Sequence, residues 1–163
     1  MKTAIYPGTF DPITLGHIDV IKKSIEIFDK VIVATTDNIN KNYFFSIDER
    51  ISIIKNSLFK DLKLNKKKIK VISFDTLTIN LCKKYKAKVI IRGLRAVSDF
   101  EYEYQLAGMN KKLNNKIETI FLMSNVENQI ISSNFVKEIA KLNGKLDQFL
   151  TKSTTKILKK KFE

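Results

Sequence analysis

A chain of 163 residues is close to the usual size of one domain, long enough for one sizeable core and too short for two, so a single domain spanning 1–163 is expected. Hydrophobic residues at 44% and charged residues at 29% are ordinary globular values, which excludes the disordered, collagen-like and disulfide-scaffold classes. The formal net charge of +13 would raise nucleic acid or an acidic membrane as a partner, yet of 30 basic residues only Arg50, Arg92 and Arg95 are arginine. The lysines are scattered or in short runs such as Lys66 to Lys68 and Lys159 to Lys161, the pattern of solvated helix faces, so no nucleic acid and no membrane partner is expected. Cys82 is the only cysteine and cannot form an internal disulfide, and Met1 runs into a strand-like Thr3 to Tyr6 without a charged-then-apolar leader, so the expected location is the cytoplasm. No apolar run approaches the roughly 20 residues that cross a bilayer.

In chain order, the Val-, Ile- and Phe-rich runs Thr3 to Tyr6, Lys30 to Thr35, Ile69 to Phe74, Lys88 to Ile91 and Ile117 to Met123 have the length of buried strands. After the first, Ile18, Ile21, Ile25 and Phe28 fall on one face of a helix. After the second, Ser46-Ile47-Asp48-Glu49 is a capping box opening a helix whose apolar stripe continues at Ile51, Ile54 and Leu58. Further helices are predicted from about Thr76 to Tyr85, Ser98 to Leu113 and Ser133 to Leu142, followed by short pieces at Leu146 to Leu150 and Ile157 to Phe162 and a loosely packed Lys-rich tail. The tail, helical from about residue 145, completes the chain. Strands alternating with helices predict an α/β fold, a doubly wound five-stranded parallel sheet with its ligands at the carboxyl ends of the strands.

The segment after the first strand, Tyr6-Pro7-Gly8-Thr9-Phe10-Asp11-Pro12-Ile13-Thr14-Leu15-Gly16-His17, holds both prolines and two of the five glycines. A Pro-Gly pair predicts a sharp turn with free amide N–H groups, and Gly16 opens a helix whose N-terminus is electropositive. His17, the only histidine, falls in that first turn at the ligand edge. A lone histidine at a helix start is more often a cap or a core residue; the surrounding loop reverses those odds here. Arg92 and Arg95 lie at the end of the fourth strand, where guanidinium forks suit phosphate.

Thr14-Leu15-Gly16-His17 fits the (H/T)-x-G-H signature of the adenylyl- and cytidylyltransferase superfamily. The stretch Tyr6 to Gly16, the segment Ile91-Arg92-Gly93-Leu94-Arg95-Ala96-Val97-Ser98-Asp99-Phe100-Glu101-Tyr102-Glu103 and the run Ile131-Ser132-Ser133-Asn134-Phe135-Val136-Lys137-Glu138 together resemble the phosphopantetheine adenylyltransferase family over nearly the whole chain. Lys137 stands where cytidylyltransferases and nicotinamide-mononucleotide adenylyltransferases usually carry arginine. The resemblance implies a Rossmann-like nucleotidyltransferase domain that makes dephospho-coenzyme A and pyrophosphate from ATP, accompanied by Mg²⁺, and 4′-phosphopantetheine, in a homohexamer. It implies His17 as the catalytic residue, stabilising charge on the α-phosphate. It implies ATP contacts at Thr9, Phe10, His17, Gly93, Leu94, Arg95, Glu103, Asn128, Gln129, Ile130, Ile131, Ser132, Ser133 and Asn134, and substrate contacts at Thr9, Lys41, Thr78, Arg92 and Glu138. The chain departs from the family pattern in lacking proline after Lys41, in Asn134 at a usual Ser or Thr, and in Asn128 where an aromatic is sometimes present.

The residues support the same chemistry by themselves. Adenylyl transfer brings several mutually repelling anions together, so cations, N–H donors and Mg²⁺ must converge, while the acceptor phosphate is its own nucleophile. One His and one Cys cannot build a zinc site, so no protein-held metal is expected. Cys82 among Ile79 and Leu81 reads as a buried small side chain. Two rivals remain at this stage: a basic nucleic-acid-binding module whose loop merely grips phosphate, and an adenylyltransferase with another acceptor such as nicotinamide mononucleotide.

Overall fold

The computed structural model describes residues 1–38, 40–95 and 97–163, and of Val97 and Ser98 the backbone alone. Five strands, β1 (Thr3–Gly8), β2 (Lys30–Thr36), β3 (Ile69–Phe74), β4 (Val89–Leu94) and β5 (Glu118–Met123), form one parallel sheet in the order β3-β2-β1-β4-β5. The helices α1 (Leu15–Ile27), α2 (Ile47–Lys55), α3 (Thr78–Lys84) and α4 (Val97–Leu113) connect them, α2 running on into a π-helical turn at Asn56–Asp61. A 3₁₀ turn (Val126–Asn128), α5 (Ser133–Lys141) and α6 (Lys152–Lys160) follow β5. No helix among the described residues is long and apolar enough to cross a membrane.

Alternation along the central strands sends side chains to two cores. Ala4, Tyr6, Val31, Val33, Ile69 and Ile91 face a layer that receives Ile18 and Ile21 of α1, Ile53 and Ile54 of α2, Val136 of α5 and Leu158 of α6. Ile5, Ile32, Ala34 and Ile90 face the opposite side, covered by Ile79, Leu81 and Cys82 of α3. Each fully buried Ile or Leu contributes about 1.5–3 kcal/mol, so both faces are firmly held. Burial also pushes the Cys82 thiol up to about 11, which keeps it an inert, protonated hydrophobe.

Three expectations need correction. The first strand does not stop at Tyr6 but continues through Pro7 and Gly8, which stay in register with Ala34 and Thr35 of β2. The sharp turn expected of Pro7-Gly8 is not there: no glycine has a positive φ, and the left-handed residue of this segment is Phe10 (φ 49°). Gly8 is needed for space instead, since a Cβ there would lie 2.8 Å from the Phe10 ring. The tail is not loosely packed either: Leu158 is completely buried, and Thr151 and Thr154 close a hydroxyl cluster with Ser57 at 2.7–3.1 Å. Residues 147–149 form a turn rather than a helix.

Candidate active site

The chain runs β1, β2, β3 to one side of the sheet and then returns to β4 and β5 on the other, so the strand order reverses between β1 and β4. At the carboxyl ends of such strands the flanking connections diverge and leave a crevice. Here the parting is visible in the register. β1 and β4 pair only at Ala4 with Val89 and Ile5 with Ile90, whereas β1 follows β2 up to Gly8 and β4 follows β5 up to Leu94. The Arg92 side chain bridges the gap, donating from Nη1 to the Pro7 carbonyl at 2.8 Å. Above it opens a cleft of about 920 Å³.

His17 is held at the mouth of α1 by its own helix cap. Thr14 is the N-cap and His17 the third helical residue; the Thr14 N–H donates to His17 Nδ1 at 3.1 Å, and Thr14 Oγ1 lies 2.9 Å from the same atom. A backbone N–H can only donate, so Nδ1 is the acceptor and the neutral ring carries its proton on Nε2. Phe10, 1% exposed, packs its ring edge-on between Tyr6 (5.3 Å) and His17 (5.1 Å) and fixes the imidazole plane. Desolvation, joined by the Arg95 and Arg92 charges, lowers the His17 pKa from 6.5 to about 4, so the ring is neutral at physiological pH. Burial also pushes the Tyr6 phenol well up, keeping it protonated.

Glu103 grips Arg92 at both ends of its fork, Nε to Oε2 at 2.7 Å and Nη2 to Oε1 at 2.6 Å. With Pro7 this uses three of the five guanidinium N–H groups and leaves two for a ligand. Arg95 is looser: half exposed, it pairs with Asp99 at 3.1 Å and approaches the Ile131 carbonyl at 3.5 Å. Lys137 lies 3.8 Å from Asp11, whose carboxylate also accepts the Phe44 and Phe45 N–H groups at 2.7 and 2.9 Å and so ties down the loop carrying Lys41. Ser132 caps α5 by accepting the Phe135 N–H at 3.1 Å, and Ser133 Oγ donates to the Pro12 carbonyl at 2.8 Å. That puts the electropositive start of a nine-residue helix on the cleft wall.

Of the residues singled out from the sequence, Thr9, Phe10, His17, Lys41, Arg92, Gly93, Leu94, Arg95, Glu103, Ile131, Ser132, Ser133 and Asn134 line this cleft. Five do not. Thr78 is half-buried at the start of α3, Glu138 is exposed on α5, and Asn128, Gln129 and Ile130 sit in the connection after β5, outside its walls. Asn128 faces inward instead, donating from Nδ2 to the buried Asp19 carboxylate at 2.7 Å. The sequence reasoning did not place Asp11, Tyr43, Asp99, Tyr102, Ser124 or Lys137 on the cleft, although all six line it. Lys137 carries a signal in the sequence, standing where cytidylyltransferases and nicotinamide-mononucleotide adenylyltransferases usually have arginine. Arg50 was missed altogether. Fully buried, it donates to the carbonyls of Thr9, Thr36 and Phe45 at 2.7–3.2 Å and stacks on Tyr43 at 3.9 Å, welding the cleft's β2 side together.

Residues 5–139 match the cytidylyltransferase-like family model. A phosphopantetheine adenylyltransferase of Pelagibacter ubique is 68% identical over 99% of both chains. The chain belongs to the phosphopantetheine adenylyltransferase family. A member from Rhizorhabdus wittichii is 46% identical, over 93% of this chain and 89% of its own. Among solved structures, a putative nicotinate-nucleotide adenylyltransferase of Vibrio parahaemolyticus superimposes with a TM-score of 0.69 at 19% identity, covering 97% of this chain and 99% of that one. A bifunctional NMN adenylyltransferase/ADP ribose pyrophosphatase of Francisella tularensis reaches 0.73 at 15% identity over 98% of this chain, which spans 49% of that protein. The likeness to these two establishes the Rossmann-like nucleotidyltransferase fold of the family enzyme, and no more than the fold.

Proposed function

We propose that the enzyme transfers the adenylyl group of ATP to 4′-phosphopantetheine, giving dephospho-coenzyme A and pyrophosphate. The observation that carries this reading is that His17, with its Nε2–H uncommitted among the described residues, and the Arg92 fork open onto one cleft at the point where β1 and β4 part. An oxygen of the acceptor phosphate attacks the α-phosphorus, the bond to the β-phosphate oxygen breaks, and pyrophosphate carries the charge away. Arg92, Lys41 and Thr9 hold the acceptor phosphate; Arg95 and the α5 N-terminus hold the triphosphate. His17 Nε2–H donates to an α-phosphate oxygen as charge builds there. A neutral imidazole fits that task, because no proton has to leave it during the reaction.

Mg²⁺ would accompany ATP as its counter-ion and neutralise charge on the phosphates. The carboxylates that line the cleft, Asp11, Asp99 and Glu103, are paired with Lys137, Arg95 and Arg92, so the phosphates of the nucleotide would supply that ion's ligands. Assembly as a homohexamer in the cytoplasm belongs to the same proposal; the apolar side chains Phe100, Tyr104, Met109, Leu113 and Met123 left exposed on α4 and β5 offer a surface for contact between copies.

Pyrophosphate release from ATP, measured against a panel of phosphorylated acceptors, tests the assignment. Release should depend on 4′-phosphopantetheine and be absent with pantetheine. Preference for nicotinamide mononucleotide would overturn it.

A further inference from the structure

Arg50 has no part in the reaction described above, and its side chain does not line the cleft. It is completely buried on α2, and its carboxylate partner among the described residues, Asp37, is half exposed and 3.4 Å away. Carbonyls and a hydroxyl take most of its N–H groups instead. Stability alone does not account for such a group, because apolar side chains of similar volume often replace buried ion pairs at no cost. Its partners show what it holds. Nη1 donates to the Thr36 carbonyl at 2.7 Å and to the Thr9 carbonyl at 3.1 Å. Thr35 Oγ1 accepts from the same nitrogen at 3.1 Å and donates to the Thr9 carbonyl at 2.9 Å. Thr9, which lines the cleft, is thereby anchored to the end of β2.

The same guanidinium holds the connection from β2 to α2, which contains neither proline nor glycine. Within it the Lys41 N–H donates to the Asn38 carbonyl at 3.0 Å, and the Asn38 N–H donates to the Tyr43 hydroxyl at 2.9 Å, so Tyr43 closes the base of the turn that carries Lys41. The Tyr43 ring lies 3.9 Å from the guanidinium carbon of Arg50, and Arg50 Nε donates to the Phe45 carbonyl at 3.2 Å. Only a planar cation stacks on a ring with its face while its edge donates in several directions. We propose that Arg50 is a positioning residue for adenylyl transfer: acting through Thr9 and Tyr43, it sets Thr9 and Lys41 at the spacing that seats the acceptor phosphate. The inference rests on the adenylyl-transfer reading, in which Thr9 and Lys41 hold that phosphate, and adds to it the residue that keeps the two in step.

Arg50→Lys, which keeps the charge but loses the fork and the stacking plane, tests it by steady-state kinetics, calorimetry with each substrate and thermal melting. The KM and Kd for phosphopantetheine should rise about tenfold, with kcat and the KM for ATP within about twofold of the parent. Tyr43→Leu alters a half-buried loop residue instead of a buried helix residue and should raise the same KM about three- to fivefold. Tyr43→Phe, with the ring still on the guanidinium, should recover most of that loss. In the Tyr43→Leu background Arg50→Lys should add less than it does alone, because both changes break one linkage, and full additivity would overturn it. Parent KM values with a lowered melting temperature would reduce Arg50 to a structural residue. Equal rises in both KM values would move the effect off the acceptor phosphate, which also overturns the inference. Should Arg50→Lys fail to fold, the Tyr43 variants decide, and a parent-like KM in Tyr43→Leu overturns it. A parent enzyme that releases no pyrophosphate with phosphopantetheine would defeat the functional reading instead. Calorimetry of the same proteins with inorganic phosphate would then judge the seat, weaker binding in the variants sustaining it and equal binding overturning it.

Discussion

The backbone N–H of Thr14 donates to His17 Nδ1 at 3.1 Å, which makes the helix cap a device for choosing a tautomer. Protonating Nδ1 would set two donors face to face, so the cap opposes the imidazolium in addition to the desolvation and the Arg95 and Arg92 charges that lower the pKa to about 4. As the only histidine, His17 gives a single imidazole signal in NMR. In the free enzyme that signal should titrate near pH 4 and not near 6.5. Turnover should show no limb from His17 between pH 7 and 5. The unfolded chain binds a proton below about 6.5 that the folded chain refuses until about 4, so this residue's effect on stability is nil above pH 6.5 and increasingly unfavourable as pH falls to 4. His17→Asn should remove that slope in urea unfolding. His17→Ala should cut kcat by about 10²–10³ while changing ATP affinity little, the signature of a contact made mainly in the transition state. Near-normal turnover would take His17 out of the mechanism.

Glu103 was expected beside ATP, yet its carboxylate is occupied by Arg92. Its proposed role is therefore to aim the fork. Glu103→Gln keeps the shape but loses the charge and, because its amide nitrogen can only donate, one of the two bonds accepted from Arg92, and should raise the KM for phosphopantetheine about tenfold with ATP affinity nearly constant. Arg92→Lys keeps the charge, loses the planar fork, and should do the same or worse. If calorimetry placed either loss in ATP binding, the acceptor side of the cleft would have to be reassigned.

What the sequence made legible here was local. The capping box at Ser46 and the strand runs act within a few residues, and each forms where the pattern put it, apart from shifts at its ends. Residues whose partners are distant in the chain were not legible. Ser57 meets Thr151 and Thr154 across more than ninety residues, so the tail's docking had no local signature. Arg50 reads as an ordinary helix arginine until the carbonyls of Thr9 and Thr36 are brought around it. Pro7 with Gly8 read as a sharp turn closing the strand, but it sits where β1 has already left β4, and its carbonyl is what Arg92 takes.

Gly8 and Gly108 separate space from conformational freedom. A Cβ on Gly8 would press 2.8 Å from a Phe10 ring that is itself wedged between Tyr6 and His17, and Phe10 is already at φ 49°. Gly8→Ala should therefore destabilise by about 1–3 kcal/mol and lower kcat as the imidazole shifts. Gly108 in α4 has nothing within 4 Å of the same added atom. Gly108→Ala should stabilise by about 0.5–1 kcal/mol through helix propensity, with kcat unchanged. Chemical denaturation of the two variants checks both signs, and equal effects would show that neither neighbourhood matters.

The net charge of +13 leaves one question about partners. Lys66, Lys67, Lys159 and Lys160 are exposed, and none of them lines the cleft. Exposed charges farther than about 8–10 Å from a ligand are screened at physiological salt, so changing all four to Gln should leave adenylyltransferase activity near the parent level. A nucleic-acid module would behave otherwise, because each phosphate neutralised by lysine contributes counterion release, and losing four lysines would weaken binding by orders of magnitude. Fluorescence anisotropy with labelled DNA and RNA over a salt series decides between them. Weak binding that vanishes at moderate salt in the parent is the expected result, since lysines spread over separate helices and loops offer no continuous track. Tight binding that survives moderate salt in the parent and collapses in the four-site variant would give the basic surface a second function.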